Sequence, residues 1–209
     1  MNAADCGLIL FAKAPVPGRV KTRLIPALGA SGSVRLYREL ILHTLSRAVD
    51  AQIGPIDLWC SPSSNHPFFH RCVGKFKINL TDQTKGNLGT RMTHAFEETL
   101  KTVSQALLIG TDCPSLTVDD LREAAACLRQ GMDAVIGPAE DGGYVLIGLR
   151  RPAPEMFAGI SWGTGSVLDE TRVRLRRRGW KWHELPERWD VDRPEDLERL
   201  KREGYAIGK

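Results

Sequence analysis

Two aspartates one residue apart, Asp190 and Asp192, stand in RWDVDRPEDLERL near the end of the chain. A third, Asp112, closes the apolar run ALLIGTD. Hard divalent cations such as Mg²⁺ take oxygen ligands and keep several waters, so two such carboxylates and a phosphate-bearing ligand complete a site. In extended backbone, residues two apart project to one side, so Asp190 and Asp192 can share a metal. Asp192 can equally cap the helix that Pro194 opens at its first turn. Asp112 can likewise cap the backbone after it, or hold a cation that neutralises phosphates. The positive complement lies in FAKAPVPGRVKTRL, residues 11–24. Pro15 and Pro17 restrict φ and Gly18 frees it, so this loop has less entropy to lose on binding. If the backbone is extended, Arg19, Lys21 and Arg23 converge on one spot. Arg suits two-point phosphate contact and Lys a point charge. The competing reading is a basic surface loop with stiff turns. A P-loop is excluded because GxxxxGK[ST] is absent.

Further polar groups punctuate the second half. PAEDGGYVLIGL (138–149) sets Glu140 and Asp141 before two glycines. Asp-Gly is a hairpin-turn signal, but a turn does not require Glu140 as well. In ISWGTGSVLDET (160–171), Gly163 and Gly165 flank Thr164, and Thr164 or Ser166 is a candidate helix cap. Cys113 follows Asp112 without a legible His partner and reads as a buried structural thiol. The run RVRLRRRGWKW (172–182) contributes much of the net charge of +4. No nucleic-acid recognition motif accompanies it, so it reads as a solvated helix face, and acidic small molecules are the expected partners.

These residues fall between apolar runs and helical patterns that alternate along the chain. CGLILFA (6–12), PIDLWCS (55–61), FKINLTD (76–82), ALLIGTD (106–112), DAVIGPA (133–139), YVLIGLR (144–150) and a segment near 181–185 read as strands. Helices are predicted over 33–50 with Ser33 as cap and Val34, Tyr37, Ile41, Leu45 and Ala48 at helical spacing, within 65–74, over 88–105 with Met92, Ala95, Phe96 and Leu100 inward, and over 117–131 with Thr117 as cap. Two more are predicted near 164–178 and from 193 onward. Such alternation implies a largely parallel sheet covered by helices, and ligands of such sheets bind beyond the carboxyl ends of the strands. Cations, isolated acids and glycines recur there, as a Mg²⁺–phosphate site needs.

The 209 residues, 42% hydrophobic and 26% charged, suffice for one sizeable core. No apolar run reaches the roughly 18 residues of a membrane span. The first 15 residues lack a basic region and read as a strand rather than a signal peptide. Five cysteines without a CxxC pair argue for a reducing cytosol.

FAKAPVPGRVKTRL, GTDCPSL, EDGGYVLIGL, SWGTGSVLDET and WDVDRPEDL together resemble the bacterial glycosyltransferase-like proteins of the nucleotide-diphospho-sugar transferase superfamily. Some of these are associated with arsenosugar biosynthesis. The chain more distantly resembles the molybdenum-cofactor and phospholactate guanylyltransferases. The resemblance runs from residue 11 to about 200. It implies an α/β GT-A fold, a three-layer sandwich with a mixed, mostly parallel sheet of about seven strands, as a single domain over 1–209. It implies a nucleotide-binding first loop carrying Ala12, Lys13, Ala14, Gly18, Arg19, Lys21 and Arg23. It implies base contacts from Gln83, Leu88 and Gly89, with Thr111 lining the donor site. It also implies Mg²⁺ or Mn²⁺ on Asp112 and Asp192, with Asp190 the alternative second ligand. The expected partners are a nucleotide or nucleotide-sugar donor and a small-molecule acceptor. In glycosyl transfer, Glu140 or Asp141 would deprotonate the acceptor. In nucleotidyl transfer, Lys21 and Arg23 would stabilise charge at the α-phosphate. A nucleotide sensor without turnover is the third possibility. One departure stands out. Sugar nucleotidyltransferases carry a glycine-rich first loop, roughly GGxSxRxG, where this chain has Gly18 alone and two prolines.

Overall fold

The computed structural model describes residues 6–205. Seven strands form one sheet: β1 Cys6–Lys13, β2 Ile56–Ser61, β3 Asn79–Asp82, β4 Gln105–Gly110, β5 Ala134–Pro138, β6 Tyr144–Leu149 and β7 Trp182–Glu184. Their spatial order is β3-β2-β1-β4-β6-β5-β7. Only β6 runs against the rest, pairing antiparallel with both β4 and β5. The other contacts, including β5 with β7, are parallel. The carboxyl ends of β1 to β5 and of β7 therefore lie along one edge, together with the turn from β5 into β6.

The pleat explains why the strands read as continuous apolar runs. On β1, Leu8, Leu10 and Ala12 enter one core, while Ile9 enters the other, with Phe11 packed against it. A strand buried on both faces has no polar side to alternate. The first core is closed by α1 Ile25–Ala51, α2 Pro67–Lys75 and α4 Val118–Arg129. The second is closed by α3 Leu88–Thr99 and α5 Val167–Arg177. This is the three-layer mixed sandwich expected. A smaller cluster joins Leu24, Leu36 and Leu40 to Trp189, Val191 and the last helix, α6 Pro194–Arg202.

Two helix starts differ in kind. Thr117 caps α4 as predicted, and its backbone N–H in turn donates to Asp120 in a reciprocal box. Ser33 does not cap α1. The helix begins eight residues earlier and is interrupted at Gly29, whose φ of 69° breaks the ladder. Ser33 is buried within it, and its hydroxyl donates to the Gly29 carbonyl. Helical spacing starting at Val34 hid that first turn, which Pro26 opens.

Candidate functional site

The loop after β1 is not extended. The Arg19 N–H donates to the Val16 carbonyl at 3.0 Å, closing a turn with Gly18 at φ 75°. Lys21 is left-handed (φ 46°, ψ 45°), and a 3₁₀ turn, Thr22–Leu24, follows. The expected two-residue alternation of cations is therefore corrected. Val20 and Leu24 are buried anchors in two different core clusters. Arg19, Lys21 and Arg23 nonetheless border one cleft of about 620 Å³ at the carboxyl edge of the sheet. The left-handed conformation, unusual for a residue with a side chain, sends Lys21 inward. Its side chain is 5% exposed, and Nζ lies 2.9 Å from Asp112 Oδ2.

Asp112 stands two residues beyond the end of β4, on the cleft wall. Its carbonyl accepts the Val191 N–H at 2.9 Å. The Ser115 hydroxyl bonds the backbone of Trp189 nearby. These bonds hook the segment before α6 onto the end of β4. Trp189 and Val191 are buried beneath it, which leaves Asp190 and Asp192 half-buried, and of the two only Asp192 borders the cleft. Asp192 pairs with Arg23. It does not cap α6: the N–H groups of Asp192 and Arg193 both donate to Asp196 Oδ2, at 2.8 and 2.7 Å. The capping alternative thus belongs to Asp196.

The acids are electrostatically crowded. Burial pushes Asp190 up to about 6, and Asp141, Asp112 and Asp192 push the same way against the pull of Lys21. Asp112 Oδ1 is buried without a hydrogen-bond partner. An unsatisfied buried carboxylate oxygen beside other acids suits a divalent cation. Among the described residues Asp112, Asp190 and Asp192 do not form a group with ligand atoms all within 4.8 Å, and Asp190 does not border the cleft. Lys21 and Arg23 neutralise two of them instead.

Behind these groups, Thr111 is buried, and its hydroxyl lies 3.3 Å from the Phe11 carbonyl and 3.4 Å from Tyr37 Oη. Tyr37 Oη accepts the Lys13 N–H at 2.8 Å, and burial raises its pKa far above that of a free phenol. Ala12 and Lys13 line the cleft, whereas Ala14 and Gly18 face a neighbouring hollow with His66. At the far end, Gln83 donates to the carbonyls of Trp59 (2.7 Å) and Ala12 (3.4 Å), and accepts from Arg91 at 3.3 Å. Leu88 lines the same end. Gly89 does not: a Cβ there would lie 2.5 Å from the Phe157 carbonyl oxygen. Its glycine serves packing between α3 and the loop before α5, so the expected base contact at Gly89 is withdrawn.

Glu140 is claimed by Arg199, which grips it at 2.7 and 2.9 Å and holds its carboxyl below the usual range. It does not border the cleft. Arg199 also stacks over Trp189, 4.4 Å from the ring centroid, so Glu140 tethers the β5–β6 turn to α6. Asp141 is exposed at that turn, does not border the cleft either, and its Oδ1 accepts the Gly143 N–H. Gly142 is required sterically: φ is 83°, and a Cβ would lie 2.3 Å from the Gly165 carbonyl oxygen. The glycines of the two segments thus let the turn and the loop before α5 touch.

Cys113 is buried and pushed up to about 11, as an inert thiol should be. Several cations in and just after α5 are matched by side chains elsewhere in the fold. Arg172 binds Glu184 and Asp169, Arg178 pairs with Glu155 and stacks on Trp180, and Arg176 stacks on Trp182. Sequence reasoning missed Tyr37 and Arg91 as cleft residues. Tyr37 looked like one of several core positions of α1. Arg91, one turn after Leu88, was the legible signal at the base-contact end.

Residues 44–164 match the family model described as "Uncharacterized protein conserved in bacteria (DUF2064)". That span contains Asp112 but neither the cationic loop nor Asp190 and Asp192. No curated protein matches the chain by sequence. Among solved structures, a protein of Desulfovibrio desulfuricans G20, provisionally named a nucleotide-diphospho-sugar transferase, is 31% identical, with a TM-score of 0.87 over 96% of this chain and 88% of that one. The 4-diphosphocytidyl-2C-methyl-D-erythritol synthase of Anaerococcus prevotii DSM 20548 is 14% identical, with a TM-score of 0.64 over 97% and 99%. The glucosyl-3-phosphoglycerate synthase of Mycobacterium tuberculosis, solved with Mn²⁺ and UDP, is 11% identical, with a TM-score of 0.57 over 96% and 77%. The last two likenesses concern the fold alone. No helix among the described residues is long and apolar enough to cross a membrane. The chain belongs to the DUF2064 family and has the fold shared by GT-A glycosyltransferases and nucleotidyltransferases.

Proposed function

We propose that the protein is a divalent-metal-dependent transferase that takes a nucleotide donor in the cleft, with glycosyl transfer from a nucleotide-diphospho-sugar as the leading reaction. The observation that carries this reading is the pairing of Lys21 with Asp112 beside the unpartnered Asp112 Oδ1. A cation and an acid that hold each other at a strand end are both released when a phosphate and a metal arrive together. Asp112 and Asp192 would hold Mg²⁺ or Mn²⁺, with Asp190 next to them. The metal supplies charge stabilisation for the departing diphosphate.

The chain's own groups divide the remaining work. Arg19, Lys21 and Arg23 bind and orient phosphates. Gln83, its amide held by two carbonyls, and Leu88 shape the base end, with Arg91 setting the amide's orientation. Asp141, exposed and close enough to raise Asp190, is the group to take the acceptor's proton; Glu140, committed to Arg199, is not. Asp190, with a pKa of about 6, is the alternative proton acceptor.

The triple cation favours a second reading, nucleotidyl transfer, because three positive side chains match a triphosphate as well as a diphosphate. Incubation with nucleotide sugars or nucleoside triphosphates and Mn²⁺, followed by product analysis, decides. Nucleoside diphosphate supports glycosyl transfer and pyrophosphate supports nucleotidyl transfer. Tight binding with neither product would leave a sensor.

A further inference from the structure

Helix α4 and the edge strand β7 carry a group of side chains that the cleft chemistry does not use. Glu123 and Cys127 lie four residues apart on α4 and so share one face of the helix. His183 is the central residue of β7, the edge strand. Its neighbours Trp182 and Glu184 interact with α5, through Arg176 and Arg172 respectively. The pleat therefore turns His183 to the other face, where α4 packs, beside Val135 in the register. His183 Nε2 is 2.9 Å from Glu123 Oε1. One ligand atom from each of Glu123, Cys127 and His183 falls within 4.8 Å of the others.

We propose that Glu123, Cys127 and His183 form a site for a thiophilic first-row divalent metal, Zn²⁺ being the ion these ligands suit, which pins the edge strand to α4. An imidazole, a thiolate and a carboxylate are the three ligand types of zinc, and a thiolate disfavours Mg²⁺ and Ca²⁺. Bond lengths of about 2.0–2.3 Å place tetrahedral ligand atoms roughly 3.3–3.8 Å apart. Side chains at a partly exposed surface reach that spacing by small rotations. Water fills the fourth position, since His183 and Glu123 are 39% and 49% exposed. On binding, the Cys127 thiol loses its proton to solvent and the sulfur donates to the metal. An ion pair between His183 and Glu123 alone needs no cysteine one helical turn away. The strand it would anchor has three residues and one neighbour, β5.

The test is Co²⁺ titration of the reduced full chain, followed by Zn²⁺ displacement. One Co²⁺ should bind with a thiolate-to-metal charge-transfer band, and Zn²⁺ should remove it. Zn²⁺ should also raise the melting temperature. Cys127→Ser should abolish the band, and His183→Gln should weaken Co²⁺ binding by roughly tenfold or more. Glu123→Gln, which keeps shape, provides a third variant if either of these unfolds. Asp112→Asn must retain the band, because the cleft contributes oxygen ligands only. Absence of the band in the wild type, or its survival in Cys127→Ser, would overturn the proposal.

Discussion

The segment from Arg188 to Asp192 passes between two acid–cation assemblies with opposite characters. On one side Arg188 grips Asp120 through Nη2 and Nε at 2.7 and 2.9 Å, and the Thr117 N–H donates to the same carboxylate. Burial would raise Asp120, but these bonds outweigh it and its pKa is lowered. Every oxygen there is satisfied. On the other side Asp112 has one oxygen on Lys21 and one buried without a partner, and Asp190 is raised toward neutrality. Both assemblies contain buried charge. Only the first is complete within the chain, and incomplete satisfaction rather than burial marks the place where a ligand belongs.

Breaking the complete assembly should have the largest effect. Asp120→Ala leaves Arg188 unpaired and removes half of the α4 capping box, so it should cost about 3–5 kcal/mol in urea denaturation. A loss below about 1 kcal/mol would mean that the pair is not what holds the segment. In the incomplete assembly the effect should move from folding to binding. Lys21→Ala should weaken nucleotide affinity by about 1.5–3 kcal/mol, as for a lost charged hydrogen bond. Calorimetry showing unchanged affinity would remove Lys21 from the phosphate site.

Asp190 sharpens the comparison through its sign. Its folded pKa of about 6 exceeds the ordinary 3.8, so the native state holds more protons than the unfolded state between those values. Its contribution to stability therefore falls as pH rises through that window and stays low above it. Asp190→Asn should stabilise the ligand-free protein at pH 7.5 by on the order of 2 kcal/mol. The gain should disappear below about pH 4. A uniform gain across pH, or a loss at pH 7.5, would contradict the crowding of acids. The smallest effect belongs to Glu140. Glu140→Gln weakens an exposed pair, so it should cost less than about 1 kcal/mol and leave turnover intact. A collapse of kcat would restore Glu140 as the base.

The sheet was legible because strands buried on both faces are apolar without interruption, as β1 and β4 are. The order of strands was not, since the antiparallel insertion of β6 depends on the short turn from Asp141 to Gly143 rather than on anything within the strand. Asp112 could be picked out because an acid closing an apolar run is unusual, and Asp192 because it stands in a DxD pair just before a helix. That both border one cleft depends on the Val191-to-Asp112 backbone bond, which leaves no trace in residue types. The loop failed differently. Alternating cations suggested extended backbone, but the turn at Gly18, the left-handed Lys21 and the 3₁₀ turn that follows break the alternation, and Val20 and Leu24 anchor in different core clusters. Glu140 misled because its partner, Arg199, lies 59 residues away.

The central claim is that the cleft binds nucleotide together with a metal on Asp112. Nucleotide affinity measured by calorimetry with and without Mn²⁺, on the wild type and on Asp112→Asn, tests it most directly. Mn²⁺ should strengthen binding to the wild type by at least about tenfold, equal to roughly 1.4 kcal/mol, and leave Asp112→Asn unaffected. The same enhancement in both proteins would contradict the account.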